Sequence, residues 1–437
     1  GPDEQGFHYD DFAALGMTRL KIIDMHTGSQ PFYNRKKTIC VIFNGEIYNF
    51  KKLRKDLKKD GFVFRSQCDT EVIVYMYEKH GNKFVDYLNG MFAIAVWDYP
   101  EKKLILVRDR LGIKPLYYSK PINGKVFFAS ETFSLKSNPG LTLTISPQAI
   151  DLFLAYRSVP SPYCIYEELK KVGPGEMVTI KNGEIKSNTY WKLNFTTDLS
   201  KTSQTLTDEF LDRLQRSVRL QSFSDATMGC FLSGGLDSSL LVALLSSDGH
   251  DNLKTFFVKA GDNYYDESKY AQHVSDQFGT SHTILNIPTS FKDDFENIIN
   301  SFDEPFAHPT MFPTYYLAKE TKKHVDMVIS GEGSDEVFAG YGRYRTELLA
   351  RKLRYCPRTI LKISNILLKR LQGIIPVEAV SRNKIDRAIN KLAMLINDSD
   401  DMRFIKHYQP FHLDERKKLI ARSFYNGFDR SDLFYLK

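Results

Sequence analysis

A serine- and glycine-rich turn, Ser233–Ser239, constrains this chain more than any other segment, because an apolar run precedes it and a helical pattern follows it. The adjacent glycines Gly234 and Gly235 let the backbone approach a ligand closely. Amides at the start of the following helix, Asp237–Leu245, point at one spot, where the helix dipole favours an anion. The pattern predicts a phosphate site, although the chain contains no GxxxxGK(S/T) Walker loop.

Acidic residues near this site indicate a bound cation. Asp237 would repel a phosphate unless a cation lies between them, which points to Mg²⁺ with a nucleotide. A second turn, Ser330–Glu336, also follows an apolar run and interleaves two glycines with three acids, as in the ligand crevice of an open α/β sheet. Asp335 is then a candidate second Mg²⁺ ligand, and Glu332 a candidate for facing the reacting carbonyl. Taken alone, this turn is equally compatible with a solvated acidic loop.

The hydrophobic pattern of the chain differs between its two halves. Short apolar runs punctuated by turn residues dominate up to about residue 134, and they predict stacked sheets flanked by helices. Beyond residue 205 apolar runs alternate with helical patterns, which predicts a parallel sheet, and the end looks mostly helical. We expect a first domain at 1–140, a proline-rich connection at 141–204 and a second domain at 205–437.

The fold class expected is therefore α+β followed by α/β. In the first half, strands are predicted at Thr38–Phe43, Met91–Trp97, Lys103–Val107 and Lys125–Ala129, with helices at Phe50–Leu57 and Glu71–Tyr77. In the second half, strands are predicted at Met228–Leu232, Lys254–Val258 and Val325–Ile329, with helices at Thr207–Val218, Asp237–Leu245 and Asp266–Phe278.

The second half resembles the ATP-pyrophosphatase synthetase domain of glutamine-dependent asparagine synthetases. The resemblance is carried by Ser233–Ser239, by Ser330–Glu336 with the following Val337–Tyr341, and by the segments Tyr265–Ala271 and Phe302–Phe306. It implies ATP cleavage between the α- and β-phosphates and adenylation of a carboxylate. It implies that ATP is bound by Leu232, Ser233, Gly234, Gly235, Asp237, Ser238, Val258, Ser330 and Gly331, that Mg²⁺ is held by Asp237 and Asp335, and that Glu332 is catalytic.

The first half resembles the class II glutamine amidotransferase domain, whose fold is a layered Ntn-hydrolase sheet. The matching segments are Gly1–Asp3, Arg19–Asp24, Gly28–Pro31, Asn44–Asn49, Asp69–Glu71 and Arg108–Tyr117. The residue types suit a free amino acid: Arg19 can bind the carboxylate, and Asp69 with the Glu46 region can receive the ammonium. Asn44 and Gly45 can form an oxyanion hole. The glutamine site implied comprises Arg19, Leu20, Lys21, Ile22, Ile23, Asn44, Gly45, Glu46 and Asp69.

The nucleophile of that family is an N-terminal cysteine, which this sequence lacks. Cys40 lies in an apolar strand and Cys68 beside the ammonium-binding segment, where packing is the usual role of a free cysteine. We expect that a segment upstream of Gly1 carries the cysteine, and that the chain as given does not hydrolyse glutamine. The family also continues beyond Lys437 with a lysine-containing segment that this chain does not match.

Composition excludes several other classes. The net charge is only +7, because 60 basic residues are scattered among 53 acidic ones. This distribution is unlike the clustered basic surface of a nucleic-acid-binding protein. Five irregularly spaced cysteines favour a reducing compartment, and no signal peptide or apolar span is present, so a cytoplasmic enzyme without membrane or nucleic-acid partners is expected. The basic run Lys51–Lys59 predicts a solvated helix face over Leu53 and Leu57. The segment Ile360–Leu371 predicts a helix that packs in a helical subdomain rather than on a membrane.

The leading hypothesis is an ATP-dependent amidotransferase, an asparagine synthetase that uses glutamine, aspartate and Mg·ATP and forms a homodimer. One alternative is a relative that amidates a sugar acid or another carboxylate, because no motif identifies the acceptor. Two others are a non-catalytic regulatory relative, which only the missing cysteine supports, and a different ATP-pyrophosphatase enzyme, such as a tRNA-modifying or nucleotide-amidating one.

Overall fold

The computed structural model describes most of the chain: residues 1, 3–260, 267–288, 290–353 and 399–421, with the single positions 363, 366, 367 and 424. It divides into two compact units, the first formed by 1–146 and 160–331 and the second by 147–159 and 332–437. Among the described helices, none combines the length and apolar character needed to cross a bilayer.

The strands are β1 (Glu4–Tyr9), β2 (Ala14–Arg19), β3 (Phe32–Tyr33), β4 (Ile39–Ile47), β5 (Gly90–Asp98), β6 (Lys103–Arg108), β7 (Tyr117–Ser119), β8 (Phe128–Ala129), β9 (Leu169–Lys171), β10 (Glu176–Lys181), β11 (Glu184–Thr189), β12 (Met228–Phe231), β13 (Lys254–Ala260), β14 (Ser281–Ile287) and β15 (Met327–Ile329). All belong to the first unit.

The described helices are α1 (Phe50–Lys59), α2 (Asp69–His80), α3 (Thr132–Lys136), α4 (Pro147–Tyr156), α5 (Ser203–Gln221), α6 (Leu236–Ser247), α7 (Ser268–Phe278), α8 (Phe295–Asn300), α9 (Met311–Thr321), α10 (Ser334–Phe338), α11 (Gly342–Leu353), α12 (Asp400–Lys406) and α13 (Leu413–Leu419). A 3₁₀ helix covers Gly81–Tyr87.

An antiparallel sheet in the order β11-β10-β6-β5-β4-β3 forms the centre of the N-terminal region. Side chains on successive strand positions point to opposite faces, so each central strand contributes side chains to two hydrophobic cores. On one face Val41 and Ile94 pack with Leu57 of α1 and Ile73 of α2. On the other face a second core forms under the β1-β2 hairpin and the β8-β7-β9 sheet. Helices, sheet and smaller sheets thus stack in layers.

A parallel sheet in the order β14-β13-β12-β15 forms the second half of this unit. Cys230 of β12 is fully buried beneath Val242 and Leu245 of α6, which follows β12 directly. Because all four strands run the same way, their carboxyl ends meet at one edge, where Ser233–Ser239 and Ser330–Gly331 begin.

Ion pairs inside the second unit fix its helices. Arg416 of α13 is almost fully buried and donates from Nε to Asp151 of α4 at 3.0 Å. Arg403 of α12 makes a two-pronged contact with Glu347 of α11, with distances of 2.7–3.0 Å. Guanidinium–carboxylate pairs of this geometry are directional, so they set helix orientation as well as attraction.

The predicted fold class is confirmed: a layered antiparallel domain precedes a parallel sheet. Each strand predicted above coincides with a strand observed, although β8 is shorter than expected and begins at Phe128. Residues 141–204 contribute β9, β10 and β11, and β10 pairs with β6 of the N-terminal sheet. Pro2, Tyr265, Asp266 and most of Ile360–Leu371 lie outside the described residues.

Candidate functional site

A cavity of about 810 Å³ collects most of the residues predicted to bind glutamine. It is bounded by the end of β2, the end of β4 and the start of α2. The predicted residues on its wall are Arg19, Leu20, Ile22, Ile23, Asn44, Gly45, Glu46 and Asp69. Lys21 is not on the wall; its Nζ lies 3.8 Å from Glu4.

The guanidinium of Arg19 is buried and held by main-chain carbonyls. Its Nη2 donates to the carbonyl of Ile23 at 2.7 Å and to that of Asp24 at 2.9 Å, and its Nη1 lies 3.4 Å from Glu4. Gly28 packs so closely that a Cβ there would fall 2.2 Å from Nη2. The neighbouring loop therefore fixes the orientation of this cation before any ligand arrives.

Two carboxyl groups, Glu46 and Asp69, face the same cavity. Asp69 opens α2, is buried, and accepts from the Ile47 amide at 2.9 Å. Burial raises the pKa of both carboxyls; that of Glu46 reaches about 8, and the nearby Asp69 adds to its shift. Lys114 and Arg19 lower the Glu46 pKa without cancelling the increase. Such a pair favours a cationic ligand, which would stabilise both ionised carboxylates.

The oxyanion candidates lie together on β4. Gly45 has φ +149°, and a Cβ there would approach the Met91 carbonyl to 2.0 Å, so the position requires glycine. Asn44 is exposed, and its Nδ2 lies 3.4 Å from Ser130 Oγ. The close approach of β4 to β5 thus leaves an amide side chain next to a glycine backbone at the cavity wall.

Two further residues at this cavity were not predicted individually. Lys114 and Ser130 line it, and Asp109 positions Lys114 through its main chain. The buried Asp109 carboxylate accepts from the amides of Leu111, Ile113 and Lys114 at 2.9–3.1 Å. The sequence of Arg108–Tyr117 contains a signal for this arrangement, because an acid followed by glycine and proline is typical of a constrained loop.

No described cysteine is suited to act as a nucleophile. The structure describes four cysteines, all of them buried: Cys40, Cys68, Cys164 and Cys230. Burial raises the pKa of each of these thiols to about 12. A thiol with so high a pKa contains almost no thiolate at neutral pH. Cys356 lies outside the described residues.

The phosphate-loop candidates form a compact turn between β12 and α6. Ser238 Oγ accepts from the Ser233 amide at 3.1 Å and lies 3.0 Å from Ser233 Oγ. Gly234 has φ +77°, and a Cβ there would lie 2.5 Å from the Ala271 amide nitrogen. Gly235 is the N-cap of α6, so amides of the first helical turn remain available to an anion.

The other candidates from this unit gather at the same edge. A Cβ on Gly331 would lie 3.2 Å from the Cβ of Asp237 and 3.3 Å from the Ser238 amide, so the end of β15 abuts the turn. Leu232 is buried and donates its amide to the Phe256 carbonyl of β13 at 2.9 Å. Val258 lies two residues further along that strand, and Ser330 precedes Gly331.

Glu332 and Asp335 lie in the second unit, on either side of Gly333. Both are exposed, and Asp335 belongs to α10. A Cβ on Gly340 would overlap Asp335 Oδ1 at 2.0 Å, so this glycine allows the chain to fold back over the acid. The roles of these two acids remain predictions.

A set of carboxylates joins the N-terminal layers to the parallel-sheet region within the first unit. Glu304 is nearly buried and binds Lys171 Nζ at 2.6 Å, Tyr117 Oη at 2.8 Å and the Ile165 amide at 2.8 Å. Asp303 accepts from the Phe133 amide at 2.8 Å, at the start of α3. These contacts span more than 130 residues of sequence, and the sequence pattern did not reveal them.

Comparison with known proteins gives the family. The glutamine amidotransferase domain model matches residues 1–191, and the asparagine synthase model matches residues 209–420. Asparagine synthetase (glutamine-hydrolyzing) 1 of Bacillus subtilis is 35% identical over 416 residues, covering 94% of this chain and 65% of the relative. The Methanocaldococcus jannaschii protein named putative asparagine synthetase (glutamine-hydrolyzing) 2 is 33% identical over 370 residues, covering 78% of this chain and 70% of the relative.

A layered antiparallel domain with a cavity that holds a buried arginine and an acid pair, followed by a parallel sheet with a phosphate-type turn, defines an amidotransferase architecture. The chain belongs to the glutamine-hydrolyzing asparagine synthetase family. It spans about 60–70% of the length of the first three curated relatives that it matches. Among solved structures, the allosteric regulatory enzyme of purine biosynthesis aligns over 63% of this chain and 66% of its own, at 15% identity and a TM-score of 0.32.

Proposed function

We propose that the protein carrying this chain is an ATP-dependent ligase that makes asparagine from aspartate and glutamine. ATP activates the aspartate β-carboxylate as β-aspartyl-AMP with release of pyrophosphate, and ammonia from glutamine displaces AMP. The observation that carries this proposal is the coexistence in one compact unit of the acid pair Glu46 and Asp69 facing a cavity and a glycine turn at a parallel-sheet edge. Family membership supports the same reaction.

In the first domain, the residues suit the three polar groups of glutamine. Arg19 binds the α-carboxylate, because its guanidinium is already oriented by two carbonyls. Asp69 and Glu46 receive the α-ammonium, which relieves the repulsion between the two acids. Asn44 and Gly45 donate to the oxyanion that forms when the side-chain amide is attacked.

The attacking thiolate is not supplied by the described residues, whose thiols all have raised pKa values. We infer that the described residues bind glutamine without themselves supplying the nucleophile that hydrolyses it.

In the second domain, the turn at Ser233–Ser239 holds the pyrophosphate part of ATP. The first amides of α6 and the hydroxyls of Ser233 and Ser238 lie together at the carboxyl-end edge of the parallel sheet, where they can bind an anion. Leu232, Val258, Ser330 and Gly331 surround the nucleoside and adenylate, and Glu332 lies at the reacting carbonyl.

Asp237, at this edge, can take part in binding Mg²⁺ that is carried in with a nucleotide. Within the described ranges, no three His, Cys, Asp or Glu side chains gather closely enough to hold a metal ion by themselves. Mg²⁺ bound with nucleotides needs only one or two carboxylates, because phosphate oxygens and water complete its shell. Asp237 and Asp335 are the proposed ligands, and the ion would neutralise charge on the phosphates.

The glutamine cavity also extends toward the parallel sheet, because Asp326 and Met327 at the start of β15 line it together with Ser130. We propose that ammonia leaves the glutamine site along this side. A passage shielded by protein limits protonation of ammonia in bulk water.

The test is pyrophosphate release by the natural protein with Mg·ATP, ammonium and aspartate, against a blank without aspartate. Aspartate-dependent release with asparagine formed is the expected result. If a folded protein that binds ATP gives no release above the blank, aspartate is not the acceptor, and sugar acids and other carboxylates become the substrates to test.

Three further predictions accompany this proposal: domain boundaries near residues 140 and 204, a cytoplasmic location, and a homodimer. Limited proteolysis tests the first, cell fractionation the second, and sedimentation of the purified protein the third. Because β10 pairs with β6 of the N-terminal sheet, β10 should resist cleavage, and cuts within β10 in place of cuts near 140 and 204 would contradict these boundaries.

A further inference from the structure

A second cavity, of about 870 Å³, lies beside helix α1 and away from the acid pair. Its volume is within the roughly 300–1,000 Å³ that small-molecule sites occupy. One face of α1 supplies Lys51, Arg54, Lys55 and Lys58 to its wall. These positions follow helical spacing, so the four cations point the same way. The cavity is therefore strongly basic along one side.

The positive charge of this wall exceeds the negative charge beside it, because four cations and two acids line the cavity. In the described part of the chain, the ion pair on α1 involves Lys59 and Asp56, and neither of these residues lines the cavity. Asp24 and Asp225 do line it, but Asp24 already accepts from the Thr27 and Gln67 amides, and Asp225 accepts from the Asp24 amide at 2.8 Å. Lys55 and Lys58, which form no ion pair among the described residues, can therefore bind an external anion.

Arg54 connects the cavity wall to the segment that precedes Asp69. Its side chain is more than nine-tenths buried, and its Nη atoms donate to Ser66, Gln67 and Cys68 at 2.6–2.8 Å. The guanidinium is therefore held in place and contributes a fixed positive charge to this wall.

An aromatic ring completes the wall. Phe223, about 39% exposed, lies beside Phe50 at a centroid distance of 5.9 Å, and Lys51 Nζ sits 3.1 Å from the Phe223 ring centre. Lysines suit a phosphate group, and an exposed phenyl ring suits the flat face of an aromatic group. A long nucleic acid needs an extended basic stripe, which a single concave cavity does not offer.

We propose that this cavity binds a phosphate monoester that carries an aromatic ring, a class that includes nucleoside monophosphates, and that its occupancy changes glutamine binding. The anion site stands on the contacts of α1 alone, whereas its effect on glutamine rests on the proposed function.

The coupling follows from shared loops. Ile23 lines both cavities, and the Ile23 and Asp24 carbonyls hold Arg19 on the glutamine side. Asp24 has φ +56°, a conformation that L-residues rarely adopt, so this loop is poised under strain. Arg54 holds the Cys68 carbonyl, one residue before Asp69. A ligand that draws on Arg54 and this loop therefore acts on both ends of the glutamine site.

The binding test titrates UMP into the 437-residue chain by calorimetry at low salt. K55Q/K58Q removes two cavity lysines and is expected to weaken UMP binding at least tenfold. K52Q/K59Q removes two lysines from the same helix that do not line the cavity, and it is expected to change affinity less than twofold. No binding by the unmodified chain, or equal losses in both variants, would overturn the site.

Two further arms locate the ligand. Gly234→Ala disrupts the phosphate-type turn and is expected to leave UMP binding intact; loss of binding there with retention in K55Q/K58Q would move UMP to that turn and overturn the proposal. Phe223→Ala is expected to weaken UMP several-fold while leaving inorganic phosphate unchanged. Equal affinity for phosphate and UMP would overturn the part assigned to the ring.

The coupling test measures glutamine affinity with and without saturating UMP. A change of at least threefold is expected in the unmodified chain and none in K55Q/K58Q, because linkage is reciprocal. An unchanged glutamine affinity would overturn the coupling. If glutamine fails to bind under either condition while UMP binding still depends on Lys55 and Lys58, the proposed function fails and the anion site stands.

Discussion

The proposed glutamine cavity and the proposed nucleotide turn differ in the source of the charge that balances their ligands. The first surrounds Arg19 and Asp69, both buried, with main-chain partners and leaves two acids with raised pKa values facing each other. The second exposes Asp237 and offers backbone amides around Gly234 at an open sheet edge. A zwitterion requires fixed counter-charges, whereas a polyphosphate brings its own cation. The glutamine cavity therefore supplies charges opposite to those of its proposed ligand, whereas the nucleotide turn relies on a cation that arrives with the polyphosphate.

The largest effect is expected from Gly234→Ala. A Cβ there would lie 2.5 Å from the Ala271 amide and 2.6 Å from Tyr270 Cβ, so the turn must move. We expect ATP affinity to fall about 1,000-fold, or roughly 4 kcal/mol, with glutamine binding unchanged. Calorimetry with each ligand measures both.

The control is Gly124→Ala, which has a similar φ of +75° but nothing within 4 Å of the added Cβ. It imposes the same backbone strain, about 1–2 kcal/mol, without the collision. Equal losses of ATP affinity in the two variants would show that strain, and not the close approach of the turn, explains the effect.

The link between the two regions is tested by Glu304→Gln. This change removes a nearly buried charge that Lys171 contacts at 2.6 Å, and we expect the free energy of unfolding to fall by about 3 kcal/mol. Glu101→Gln breaks an exposed pair with Lys181, and only a small loss of stability is expected. Urea denaturation compares the two; a small, equal loss in both would mean that Glu304 does not tie the regions together.

Asp69→Asn probes the charge stored in the glutamine cavity. The amide keeps the shape of the carboxyl but not its charge, so glutamine affinity should fall about 100-fold while ATP affinity stays the same. Asp11→Asn, at an exposed position, is the matched control. Glutamine binding within threefold of the unmodified chain would contradict a role for Asp69 as counter-ion.

A smaller effect is expected in the pH dependence of stability without glutamine. The raised pKa of Glu46, about 8, means that the folded chain binds its proton more tightly than the unfolded chain does. Its contribution to stability is therefore present at low pH and is lost as pH rises from about 5 to 8. Glu46→Gln should remove this loss, whereas Glu78→Gln, at an exposed position, should not. If the free energy of unfolding changes with pH in the same way in the unmodified chain, Glu46→Gln and Glu78→Gln, the raised pKa of Glu46 is contradicted.

The sequence predicted local elements better than long-range ones. Ser233–Ser239 and the α1 face over Leu53 and Leu57 follow from spacing within a few residues, and both were found as predicted. β14 was not predicted, because this edge strand is largely polar and only Leu285 and Ile287 are buried. β11 was missed for the same reason, since nearly all of its side chains are exposed.

The candidate site shows the same limit. Residue types and motif resemblance already assigned Asp69 and the Glu46 region to one ammonium site, but only the fold reveals that burial raises the pKa of both carboxyls. The partners of Glu304 come from positions 117, 165 and 171, and no periodic pattern connects them. Juxtapositions across so many residues depend on strand order and register, which sequence periodicity does not specify.

The most direct test of the account counts the protons released when glutamine binds to the chain at pH 7. Calorimetry in buffers of different ionisation enthalpy measures this number. If the substrate ammonium binds between Glu46 and Asp69, the pair loses the proton that it holds when empty, and close to one proton is released. Glutamine binding without proton release would mean that the ammonium binds elsewhere, and the central claim would be wrong.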